Sequence, residues 1–115
     1  MGVFAEFVGD SVLGLVIAEQ LYTRHPTLSE GDLTLMKHHL VSSETLGKIA
    51  KKLKLGDFMR VGKGEEKTGG RKKQALLADT LEAVIAAVFF DSGFENAGNV
   101  IKKLFAEYLS EVTPT

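Results

Sequence analysis

Apolar residues recur every three to four positions along nearly the whole chain, and no stretch sustains the every-second-residue alternation of a half-buried strand. That periodicity predicts an all-α fold. The first helix is expected over 7–22, with Val8, Val12, Leu13, Leu15, Val16, Ile17 and Leu21 set almost all round its circumference. Such a helix belongs at the centre of a core, and Pro26 bounds it. Ser29 is the expected N-cap of a second helix reaching 40, with Asp32 near the positive end of its dipole and Leu33, Met36 and Leu40 facing inward. Ser42 or Ser43 caps a third on Leu46, Ile49, Ala50 and Leu53, closed at Leu55-Gly56. Two more helices are predicted, over 73–90 on Leu77, Leu81, Val84, Ile85 and Val88, and over 95–109 on Ala97, Ile101, Leu104 and Tyr108.

At 115 residues, 44% of them hydrophobic, the chain reads as a single packed domain over 1–115. Without cysteine it excludes disulfide staples, thiolate metal sites and a cysteine nucleophile. The apolar run from Val12 to Ala18 is broken by Gly14 and closes at Glu19, too short to cross a membrane. Glu6 and Asp10 spoil any secretory-signal reading, so the expected location is cytoplasmic. The net charge of −1 hides an uneven distribution. Residues 37–73 hold eleven Lys/Arg against four Asp/Glu, and the rest of the chain holds three against eleven. A basic middle between acidic flanks suits either solvated helix faces or a polyanionic partner. Its densest part, GKGEEKTGGRKK at 62–73, has four glycines and no apolar residue and is expected to be an exposed loop.

Two carboxylate pairs stand inside the most apolar segments, where an uncompensated charge is costly. Glu6 and Asp10 are four residues apart, and Asp79 and Glu82 three, so each pair shares one helix face. Spacing alone leaves open exposed acids or helix-dipole partners. If the two helices pack side by side, the four charges converge and call for a cation. All-oxygen ligation favours Mg²⁺, with waters and a substrate phosphate completing its shell. That is chemistry for phosphodiester hydrolysis.

The wording of these segments goes further than their spacing. EFVGDSVLGLVIAEQLY at 6–22 resembles the ribonuclease III signature, and LLADTLEAVIAAVFFDSG at 76–93 resembles the second acidic segment of that family. LSEGDLT at 28–34, LVSSETL at 40–46 and the basic loop at 62–73 are also similar, in the family's order. The resemblance implies the helical catalytic-domain fold of ribonuclease III. It makes Glu6, Asp10, Asp79 and Glu82 the catalytic, metal-binding carboxylates for Mg²⁺, with Mn²⁺ as a substitute. The implied activity is endonucleolytic cleavage of double-stranded RNA, leaving 5′-phosphates, 3′-hydroxyls and short 3′ overhangs. The implied assembly is a homodimer with one active site per subunit, and Phe7 matches the aromatic that inserts into the partner. A non-catalytic RNA-binding or dimerisation module on the same fold is the alternative.

Departures from the family are specific. Val3 stands where the signature has a further glutamate, which leaves Glu44 as the other auxiliary acid. Five residues precede the signature where about two helices are usual, an N-terminally shortened domain, and no double-stranded RNA-binding domain is expected after Thr115. Lys63, Lys67, Arg71, Lys72 and Lys73 are the expected RNA contacts, because an A-form duplex is gripped through its backbone. GKGEEKTGG is no nucleotide-binding loop, since Glu66 replaces the glycine required before the lysine. His38 and His39 are adjacent and cannot form an i, i+4 zinc pair, and Ser11 and Ser42 lack a histidine arrangement for acyl chemistry.

Overall fold

The computed structural model describes the backbone of residues 3–58 and 70–115, and the side chains of 4–56 and 73–115. The described residues are helical and contain no strand, as the periodicity predicts. Helix α1 runs Val3–Arg24, α2 Glu30–Leu40, α3 Ser43–Lys52, α4 Gly70–Leu104 and α5 Ala106–Glu111, with a 3-10 turn at Leu55–Phe58. Helix α4 is the scaffold: α1 and α3 pack chiefly on it, and α2 closes over α1.

The caps follow local chemistry. Ser29 Oγ accepts from the Asp32 backbone N–H, and Ser42 Oγ from that of Thr45, so Ser42 rather than Ser43 caps α3. Helix α3 ends at Lys52, earlier than the expected Leu55-Gly56. The residue that turns the chain is Lys54, with φ of 60°, its N–H bonded to the Lys51 carbonyl. Leu53, expected inside, is left exposed by that turn.

The basic segment also differs from expectation. Helix α4 begins at Gly70 rather than 73, since Arg71, Lys72, Lys73 and Gln74 are unbranched helix formers. The gap expected between the last two long helices shrinks to Gly93, whose φ of 87° and ψ of 176° interrupt α4 at one residue. Beyond it the buried series is Ala97, Ile101, Phe105 and Leu109, with Leu104 and Tyr108 only half-buried. Both series satisfy helical spacing. Burial of Phe105, the largest of the fully enclosed side chains, decides between them.

Helix α1 is not buried all round. Leu13, Val16, Ile17 and Leu21 enter the core, while Phe4, Phe7, Leu15 and Tyr22 are exposed. These four, with the exposed Ser11 and Ala18, fall on one stripe of the helix. The even apolar distribution reflects two apolar faces, of which only one is covered among the described residues.

Candidate active site

Gly9 sets the position of both acidic pairs. A Cβ there would stand 2.6 Å from the Glu82 carbonyl carbon and 3.1 Å from its Cα, so α1 and α4 touch backbone to backbone at this crossing. Only glycine permits such an approach. Glu6 and Asp10 bracket Gly9 on α1, and Asp79 precedes Glu82 by about a turn on α4, so the contact draws the pairs toward each other.

The electrostatics of Glu82 register that convergence. Its carboxyl is pushed from 4.5 up to about 8, first by burial, then by a hydrogen bond with the Asp10 carboxyl and by the charges of Asp10, Asp79 and Glu6. Glu82, Asp79 and Glu6 are half-buried and Asp10 is exposed, leaving the group open to solvent on one side. Glu44 is not among the charges acting on Glu82. It lies on α3 in an exposed ion pair with Lys48, 3.2 Å long.

As the side chains stand, no three or more Asp, Glu or His among the described residues form a ready cage for a metal ion. The chemistry of the donor set nevertheless fits a hard divalent cation. Burial and three neighbouring carboxylates favour the protonated form of Glu82, and a divalent cation would relieve that repulsion. Forming a cage here would take rotation of the carboxylate side chains.

The other anticipated residues are placed less completely. Lys63 and Lys67 lie outside the described residues; Arg71 and Lys72 lie in the first turn of α4, their side chains outside the description. Lys73 is exposed and lines a cleft of about 260 Å³ with Lys48, Lys51 and Gln74. Phe7 is 68% exposed, so it is not an ordinary core phenylalanine. Sequence reasoning missed Gly9, whose signal was a glycine lying between two acids, and the α3 lysines, which only the packing of α3 on α4 brings beside Lys73.

The Ribonuclease-III-like family matches residues 5–109, nearly the entire chain and both acidic pairs. The chain belongs to the ribonuclease-III-like family. It is 49% identical to Ribonuclease 3 of Dechloromonas aromatica over 95% of its length, covering 49% of that protein. With Ribonuclease 3 of Streptomyces coelicolor it shares 51% identity over 87% of its length and 36% of that protein's. The chain thus spans about half the length, or less, of the curated relatives it matches. Its fold is that of the solved ribonuclease III nuclease domain from Campylobacter jejuni, with a TM-score of 0.82 and 39% identity, covering 92% of this chain and 74% of that one. The structure of Dicer from Pichia stipitis is also similar, with a TM-score of 0.77 and 28% identity over 96% of this chain and 50% of that one.

Proposed function

We propose that this ribonuclease-III-like domain cleaves double-stranded RNA by Mg²⁺-dependent phosphodiester hydrolysis, leaving 5′-phosphate and 3′-hydroxyl ends with short 3′ overhangs. The observation that carries the reading is the acidic crossing at Gly9, where burial together with Asp10, Asp79 and Glu6 presses Glu82 toward protonation. Membership of a family whose named relatives are Ribonuclease 3 supports it.

Glu6, Asp10, Asp79 and Glu82 would hold the ion, Mg²⁺ or in its place Mn²⁺. When bound, the ion supplies Lewis acidity to the phosphoryl oxygen and a water of lowered pKa. To hold the ion Glu82 would have to be deprotonated, so occupancy should strengthen as pH rises through about 8. Asp10 is exposed, and a phosphate backbone would reach the acids from its side. Lys63, Lys67, Arg71, Lys72 and Lys73 would grip the backbone of the duplex.

The exposed stripe of Phe4, Phe7, Leu15 and Tyr22 is the surface we assign to a homodimer, with Phe7 entering the partner. Dimer formation is named for the similar nuclease domain of Campylobacter jejuni. No described helix is long and apolar enough to cross a membrane, and we assign the domain to the cytoplasm.

The test is incubation of a long perfect RNA duplex with the chain in Mg²⁺ or EDTA, beside Glu82→Gln, resolved on a denaturing gel. Cleavage by the parent in Mg²⁺ alone supports the assignment. Duplex binding without cleavage, in a folded parent, would leave a non-catalytic module, and cleavage by Glu82→Gln would remove the site.

A further inference from the structure

Lys37 belongs to α2, but its side chain reaches across α1 at Gly14. A Cβ on Gly14 would stand 3.5 Å from Lys37 Nζ and 3.6 Å from Cε, with nothing else within 4 Å. The bare backbone of Gly14 is therefore the bed on which the end of this side chain lies. The stem is half-buried in a cleft of about 230 Å³ lined also by Ala18, Leu21, Glu30, Leu33 and Thr34, so its methylenes have apolar neighbours.

The placement matters because of what lies one turn away. Glu6, Asp10 and Gly14 succeed one another at intervals of four on α1, hence along one face of the helix. Gly14 is about 6 Å beyond Asp10 along the axis. Lys37 thus carries a positive charge along the α1 line that holds the two acids, yet it makes no ion pair with Glu6 or Asp10. An ammonium about one helical turn along from these acids, and not paired with them, is placed to meet a third party that brings its own negative charge.

A nucleic acid strand seated on the acids through one phosphate presents the neighbouring phosphates of its backbone at intervals of a few Å. The advance from Asp10 to Gly14 therefore matches one or two nucleotides. We propose that Lys37 is an RNA-contact residue that binds a backbone phosphate one or two nucleotides from the bond to be cut. Its role is to set the register of the strand over the acids, separately from the lysines of the basic segment. The inference rests on the nuclease reading above and deepens it.

The experiment compares the full chain with Lys37→Met, which keeps the stem and removes the charge, and Lys37→Arg, which restores a cation. Binding of a labelled RNA duplex is measured against salt concentration in a Glu82→Gln background, where strands stay intact. Steady-state cleavage is measured with Glu82 in place. Lys37→Met should weaken binding about five-fold at moderate salt and flatten the log Kd against log salt slope by about one. It should raise KM more than it lowers kcat, while Lys37→Arg recovers most of both. A Lys37→Met chain with unchanged slope and KM overturns the proposal while leaving the nuclease reading intact, and so does one that loses thermal stability without a change of slope. If the unmodified chain neither binds nor cuts duplex RNA, the nuclease reading fails and this inference with it.

Discussion

Replacing Glu82 with Gln should stabilise the metal-free protein at high pH and leave it nearly unchanged at low pH. In the unfolded chain this carboxyl ionises near 4.5, whereas in the fold burial and the Asp10, Asp79 and Glu6 carboxylates hold it to about 8. Between those values the folded state binds the extra proton, so the contribution of Glu82 is fully present below about 4.5 and is lost as pH rises through 8. Each pH unit of that window is worth about 1.4 kcal/mol for a fully enclosed group. Glu82 is only half-buried, and solvent screening leaves about 1–2 kcal/mol in all. Gln has the same shape and no charge to lose. Thermal unfolding in EDTA at about pH 5 should give nearly coincident melting temperatures, and at about pH 8.5 the variant should melt higher by roughly 4–10 °C. Adding Mg²⁺ at the higher pH should raise the parent far more than the variant and close or reverse the gap. A variant less stable than the parent at pH 8.5 in EDTA, or a gap of equal size at both pH values, would refute the account of Glu82 as the acid strained by its neighbours.

Gly9→Ala should cost at least about 1–3 kcal/mol, read as a lowered denaturation midpoint, because its Cβ meets main chain that cannot move aside. An unchanged midpoint would mean that the α1–α4 crossing is looser than described. Leu15→Asp should shift the sedimentation of the chain toward monomer while leaving its helicity intact, since Leu15 is 59% exposed within the single chain; a persistent dimer would move the interface elsewhere. Phe105→Ala should lose about 3–5 kcal/mol in urea unfolding, whereas Tyr108→Ala should lose clearly less. Lys54→Gly should gain about 0.5–1 kcal/mol by relieving the left-handed backbone at the end of α3, visible as a higher melting temperature.

Local chemistry written in the chain determined a good deal by itself. The 3.6-residue period dictated helices, Ser29 and the Ser42-Ser43 pair marked two starts, and acids three and four residues apart had to share helix faces, because each follows from backbone geometry within a turn or two. The wording of the acidic segments carries the family resemblance by itself. Tertiary structure decided what distant segments do to one another. Which apolar face of α1 is covered depended on α2 and α4, and the choice of Phe105 and Leu109 over Leu104 and Tyr108 depended on the space left by the other helices. That Gly9 meets the backbone of Glu82, more than seventy residues later, and that Lys37 settles on Gly14 are likewise contacts between surfaces. No periodicity encodes them, because spacing along a helix states which residues share a face and is silent on which face another helix will meet.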